Sequence, residues 1–275
     1  TAVAVINYIS QIFTPVESLG MEIQTIQSAV AGVRRINEFL SQSEPAPRKP
    51  VSLPASLPAG QPQVELRNVV FGYDDHTVLQ SICLQVHAGE QVTLAGRTGA
   101  GKSTVFKLLL GLYAPQSGSV LIEGVPAADI ADQDRRALFG YVEQRFHQVP
   151  GTVRDQITLY DPAISDQAVR TAAKLAGLSD TIESLPQGYD TPCTPELFSQ
   201  GQWQLLSIAR AAAANPKLLL LDEITANLDV ETENQVLEAL KCVSADRTVI
   251  SISHRTKCCF IYHIGKLRSG SSGSC

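Results

Sequence analysis

A chain of 275 residues that is 44% hydrophobic and 18% charged can bury a core, which excludes wholesale disorder. Its formal net charge of -5 and the lack of any basic run argue against a surface built to neutralise nucleic-acid phosphates, so no nucleic-acid partner is expected. The six cysteines (Cys83, Cys193, Cys242, Cys258, Cys259 and Cys275) have neither metal-ligand spacing nor the pattern of a disulfide-stapled secreted domain.

The first segment, residues 1–13, is apolar but interrupted by Asn7, Ser10 and Gln11, and it falls short of the roughly 20 residues a membrane-spanning helix needs. It lacks the basic start and small-residue cleavage site of a signal peptide, and it reads as the cut end of something longer. Residues 14–40 follow as a helix. Ile23, Ile26, Val30, Val33, Ile36 and Leu40 recur at three- and four-residue spacing and share one face, and Pro15 is expected to start or kink the helix. The segment 41–62 holds six prolines and reads as an extended linker, so a domain is expected to begin near Gln63.

From there, short apolar runs alternate with helical patterns. Strands are expected at 91–95, 217–222 and 247–253, and helices at 102–111, 165–177, 201–214 and 229–243. Residues 217–222 are apolar on both faces, as in a buried parallel strand. This alternation predicts an α/β fold, a mainly parallel sheet covered by helices.

The strongest chemical signal is Gly96-Arg97-Thr98-Gly99-Ala100-Gly101-Lys102-Ser103-Thr104, which fits the phosphate-binding loop G-x-x-x-x-G-K-[ST]. Glycines let the backbone curl so that successive N–H groups converge on phosphate oxygens. The helix that follows points the positive end of its dipole at the same anion. Lys102 adds a full charge for the β- and γ-phosphates, and the Ser103 hydroxyl is a Mg²⁺ ligand. The run Leu218–Leu221 ends in Asp222 and Glu223, placing two carboxylates at the carboxyl edge of a sheet, where open α/β folds bind ligands. Asp222 is the expected second metal ligand, and Glu223 the expected general base for the attacking water.

The remaining motifs carry a family resemblance. Phe198-Ser199-Gln200-Gly201-Gln202, followed by a helix through Ala209-Arg210-Ala211, resembles the signature of ABC transporter ATP-binding domains. Tyr141-Val142-Glu143-Gln144 resembles their glutamine loop, Ala226-Asn227-Leu228-Asp229 their D-loop, His254 their switch histidine, and Tyr73 the aromatic residue that stacks on adenine. The resemblance covers about residues 63–255. It implies a P-loop NTPase with an N-terminal antiparallel β part and a helical subdomain. Its ligands would be ATP and Mg²⁺, with Gln144 and His254 joining Glu223 in catalysis and Gln144 also facing the metal. Ser199, Gln200, Gly201, Gln202 and Asp229 would serve the nucleotide across a head-to-tail pair with a second ATPase domain.

Residues 1–40 resemble the end of the transmembrane domain of an exporter-type half-transporter and its cytosolic helix. The division expected is therefore 1–40, a linker at 41–62, the ATPase domain at 63–257, and an atypical segment at 258–275. The domain would work at the cytoplasmic face of a membrane, coupled to a transmembrane domain that carries an unknown substrate. Three features depart from the family pattern. Gln200 replaces a glycine, residues 191–197 are short, and 256–275 is a brief Gly/Ser-rich end, with a small hairpin conceivable at 259–266, that reads as truncation or an altered reading frame. A fragment that binds ATP without hydrolysing it, and a soluble non-transport ABC ATPase, stay open as alternatives.

Overall fold

The computed structural model describes the backbone of residues 2–41, 50–54, 57–58, 60–74, 76–97, 99–143, 145–224, 228–252 and 261–263. In the first helix, only Tyr8 and residues 19–41 have described side chains. The chain forms two compact units, Thr1–Lys49 and Pro50–Cys275.

The described residues of the first unit form one helix, α1 (Ala2–Ser41). Pro15 lies inside it rather than at its start. One proline removes a single rung of the helical ladder, and the residues on both sides are compatible with helix. The apolar row is exposed: Ile23, Ile26, Val33, Ile36 and Leu40 each keep more than half of their surface open. Among the described residues no helix is long and apolar enough to cross a membrane.

In the second unit the end of the proline-rich stretch is not free chain. Val51 forms a parallel bridge with Ile130, its N–H donating to the Asp129 carbonyl at 2.8 Å, and Leu53 packs on the core. The strands are β1 (Val64–Tyr73), β2 (His76–Val86), β3 (Gln91–Ala95), β4 (Ser117–Ile122), β5 (Val125–Pro126), β6 (Phe139–Val142), β7 (Leu218–Asp222), β8 (Thr248–Ile252) and β9 (Ile261–His263). The α-helices are α2 (Lys102–Leu109), α3 (Asp132–Leu138), α4 (Val153–Thr158), α5 (Asp166–Leu175), α6 (Ser179–Glu183), α7 (Gln200–Ala213) and α8 (Val230–Ser244).

One sheet is antiparallel, in the order β2-β1-β4-β5; the other is parallel, in the order β6-β7-β8-β3-β9. The expected α/β fold with an antiparallel part and a helical part is thus the fold observed. The strand β9 adds to the edge of the parallel sheet beside β3. The other side of the hairpin conceived at 259–266 lies outside the described residues.

Strand β7 shows why the parallel sheet is stable. Leu218 and Leu220 belong to one core, under the antiparallel sheet and α2, while Leu219 and Leu221 belong to a second, built from α4, α5, α7 and α8. Successive side chains point to opposite faces of a strand, so a strand apolar throughout must be covered on both sides. Leu218, Leu219 and Leu220 are fully buried, each contributing about 2 kcal/mol by removal from water.

Candidate nucleotide site

The parallel strands bring the phosphate loop and the acidic pair to one edge. Leu94 of β3 and Asp222 of β7 both register on Ile252 of β8, one from each side. Two strand spacings of about 4.8 Å therefore separate them, and the glycine-rich loop leaves the sheet just beyond Leu94. Ser103, in the first turn of α2, stands across that gap near enough to the Asp222 carboxylate to help hold its pKa down.

The loop itself is shaped for an anion. Gly101 sits at φ 87°, and a Cβ there would meet Leu79 Cδ2 at 2.6 Å and Val78 Cγ1 at 2.9 Å, so glycine is required on both counts. No side chain caps α2, which leaves its first amides without a side-chain acceptor. Lys102 is 5% exposed, and its ammonium donates to the carbonyls of Gly96 at 2.9 Å and Arg97 at 3.1 Å. Among the described residues it has no carboxylate partner. A buried cation in a loop of open amides suits a phosphate ligand. Gly99, Ala100 and Thr104 complete the turn and the helix start; Thr98 lies outside the described residues.

Across the gap, burial and the neighbouring Glu223 push the Asp222 carboxyl above its ordinary range; hydrogen bonds from Tyr141 and Ser103 pull the other way, and Glu143 adds repulsion. The Tyr141 hydroxyl, at the end of β6, donates to Asp222 Oδ2 at 3.4 Å, and burial together with the nearby carboxylates raises its own pKa. Acids crowded at one edge beside a hydroxyl and a phosphate site suit a divalent cation. Among the described residues no cluster of three or more His, Cys, Asp or Glu forms a closed cage. Mg²⁺ needs only one or two protein ligands and leaves the rest to phosphate and water. Glu223 stands at φ 47°, its N–H donating to the Ile252 carbonyl at 3.2 Å. A non-glycine residue held there stores backbone strain, which recurs at functional positions.

Tyr73 ends β1 in a cluster of aromatic rings, edge-on to Phe71 at 5.1 Å and Tyr113 at 5.5 Å. Lys107 of α2 lies 5.3 Å from its ring centre and 3.3 Å from its hydroxyl. The candidate base-stacking residue is thus tied to the helix that leaves the phosphate loop. Neither Tyr113 nor Lys107 belongs to a motif, so sequence reading passed over both.

The signature residues lie at the start of α7. Ser199 caps the helix, accepting from the Gln202 N–H at 3.3 Å, while the Ser199 N–H donates to Gln202 Oε1 at 2.9 Å. Gln200 is exposed beside them. Gly201 lets α7 approach α8, because a Cβ there would overlap Thr232 Cγ2. Thr232 in turn donates its N–H at 3.0 Å to Asp229, which caps α8, and that bond holds the Asp229 carboxyl below its usual range. The signature turn and Asp229, the last residue of the D-loop motif, therefore meet in one packed junction; Ala226 and Asn227 lie outside the described residues. Gln144 and His254 lie outside the described residues.

A family model described as ABC transporter matches residues 79–226, more than half of the chain. The chain belongs to the ABC transporter family. Among its relatives are an uncharacterized ABC transporter ATP-binding protein of Bacillus subtilis, 38% identical over 252 residues, and an ATM1-type heavy metal exporter of Novosphingobium aromaticivorans, 37% identical over 255. Each alignment covers 90% of this chain and 41% of the relative. A solved structure of a bacterial Atm1-family ABC exporter with ATP bound is 36% identical, with TM-score 0.67, over 90% of this chain and 44% of that one. The chain therefore spans about two fifths of the length of the proteins it matches, and it is an exporter-type ABC ATP-binding domain.

Proposed function

We propose that this ABC domain binds ATP with Mg²⁺, hydrolyses it, and thereby powers transport of a substrate through a transmembrane domain at the cytoplasmic face of a membrane. What carries the reading is the convergence of the buried Lys102, which has no carboxylate partner among the described residues, with Asp222 on a single sheet edge, where Leu94 and Asp222 both register on Ile252.

The amides of 99–104 and the Lys102 ammonium bind the β- and γ-phosphates, and Tyr73 offers its ring to adenine. Ser103 and Asp222, with Gln144, would hold the metal. Mg²⁺, when bound, neutralises charge on the transferred phosphoryl group. Glu223 accepts a proton from the attacking water, whose oxygen bonds to the γ-phosphorus as the bond to the bridging oxygen breaks and ADP departs with its electron pair. His254 is assigned to orienting the γ-phosphate and the water.

Ser199 Oγ accepts from the Gln202 amide, and among the described residues its O–H donates to nothing, so it can still donate to a phosphate from a second subunit. With Gln200, Gly201, Gln202 and Asp229 it forms the surface offered across a head-to-tail pair. A γ-phosphate bridging the two surfaces holds them together, and its loss releases them.

The test is Mg²⁺-dependent phosphate release by the purified chain. Glu223→Gln is expected to lower kcat by roughly 10² to 10⁴, the usual worth of a general base, and to trap an ATP-bound dimer. Unchanged turnover would remove Glu223 from that role. Lys102→Ala is expected to abolish nucleotide binding, and undiminished ATP affinity would refute the phosphate-loop assignment.

A further inference from the structure

The signature helix does a second task that no motif announces. One face of α7, over successive turns, presents Trp203 and Gln204, then Ser207, then Arg210. Gln204 Nε2 donates at 3.3 Å to the carbonyl of Glu143, immediately before Gln144. Arg210 Nη1 donates at 2.9 Å to the carbonyl of His147, three residues after it. Between these anchors the Phe146 ring is held between two groups of α7, 4.9 Å from the Trp203 ring and 4.0 Å from the Arg210 guanidinium carbon.

The clamp continues into α4. Arg210 Nε donates to the Gln156 carbonyl at 2.5 Å and Nη2 to Gln156 Oε1 at 3.3 Å. Gln156 is fully buried, and its side chain both accepts from the Val149 N–H at 3.0 Å and donates to the Val149 carbonyl at 2.6 Å. Three nitrogens of one guanidinium thus reach acceptors on both sides of the glutamine-loop exit, a set that only the planar arginine fork supplies.

We propose that Arg210 and Gln204 are positioning residues for the glutamine loop. They fix the backbone on both sides of Gln144 to the helix whose first turn, Ser199–Gln202, faces the partner subunit. The inference rests on the ATPase reading above and deepens it. The loop that serves a subunit's own nucleotide and the surface offered to its partner's nucleotide are set by one rigid element. Movement of either is then felt by the other without a hinge between them. Among the described residues neither side chain hydrogen-bonds to the phosphate loop or to Asp222, so their effect falls on the alignment of Gln144 rather than on affinity for the subunit's own nucleotide.

The experiment compares the full chain with Arg210→Met, which keeps the stem and removes every donor, and with Gln204→Met. Hydrogen exchange at 146–149 is expected to quicken by about tenfold in Arg210→Met, since the bond to the His147 carbonyl is lost together with the two to Gln156, while β7 amides stay unchanged. kcat is expected to fall by about 10²-fold, the scale of a misplacement near 1 Å, with KM for ATP held within about threefold. Gln204→Met should show the same split at smaller size.

Three results would overturn the proposal: unchanged exchange at 146–149, quickened exchange with unchanged turnover, or a kcat loss matched by an equal rise in KM. If Arg210→Met gives no cooperative melt, Gln204→Met decides by the same criteria. If the parent chain releases no phosphate, the hydrolysis reading fails by itself. The emission of Trp203, the sole tryptophan, then decides. ATP should shift it in the parent and not in Arg210→Met, and an equal shift in both overturns the clamp.

Discussion

The junction of α7 and α8 yields a prediction whose sign reverses with its background. Replacing Gly201 by alanine adds a Cβ that overlaps Thr232 Cγ2, while Thr232 Cβ and Oγ1 stay at 3.4 and 3.5 Å, close to ordinary contact. Overpacking of this kind costs about 1–3 kcal/mol. Set against it is the propensity gain of alanine over glycine in a helix, up to about 1 kcal/mol. The net expectation for Gly201→Ala is a loss of up to about 2 kcal/mol.

Thr232→Ser removes Cγ2 and keeps the backbone N–H that Asp229 receives. In that background the overlap is gone and the propensity remains, so Gly201→Ala should be neutral or stabilising by up to about 1 kcal/mol. Urea midpoints of the four proteins at constant m give the coupling energy directly. An equal cost of Gly201→Ala in both backgrounds would refute the packing account and require another reason for glycine at this position.

Three further outcomes are expected. Glu223→Gly should be more stable than Glu223→Ala by about 1 kcal/mol in thermal melts, because only glycine adopts φ 47° without strain, and both should lose turnover; equal stability would show the left-handed backbone to be unstrained. Tyr141→Phe should leave the fold intact but raise the Mg²⁺ concentration for half-maximal turnover severalfold, since Asp222 loses a donor that favours its charged form; an unchanged Mg²⁺ titration would separate Tyr141 from the metal site. Lys217→Met should cost about 2 kcal/mol in chemical denaturation, the worth of hydrogen bonds to a charged group, because Glu123 is 3% exposed and both its oxygens accept from Lys217 at 3.0 Å; Glu123→Gln in the same chain should restore part of that loss, and no restoration would mean that the pair is not the source.

The sequence makes legible whatever a local pattern encodes. Four consecutive leucines mark β7, the glycine-rich loop marks the start of α2, and the family motifs fall along one sheet edge and one helix junction. Strands β1 and β2 alternate only at their paired ends, Val64–Arg67 and Ile82–Val86; beyond these, register shifts between Leu66 and Val69, Val69 and Phe71, and Phe71 and Gly72 break the alternation. The proline-rich stretch hid the docking of Val51, since prolines forbid a ladder but permit a single bridge. Periodicity in α1 marks one face, but it cannot tell whether anything covers that face. The ties of Arg210 and Gln204 run to backbone carbonyls about 60 residues away, and backbone acceptors have no residue type to read.

A strand of identical leucines has a weakness of its own. Where both faces are greasy, sliding by one residue swaps leucine for leucine, and hydrophobicity alone cannot tell the two alignments apart. Such a slide would carry the acidic tip about 3.3 Å along the strand, away from Ser103. Besides the backbone ladders to β6 and β8, a residue-specific anchor opposes it at the opposite end, where Lys217 is latched to Glu123 just before the first leucine. An ion pair on the far rim of the sheet thus works as the stop that tells Asp222 and Glu223 where to protrude.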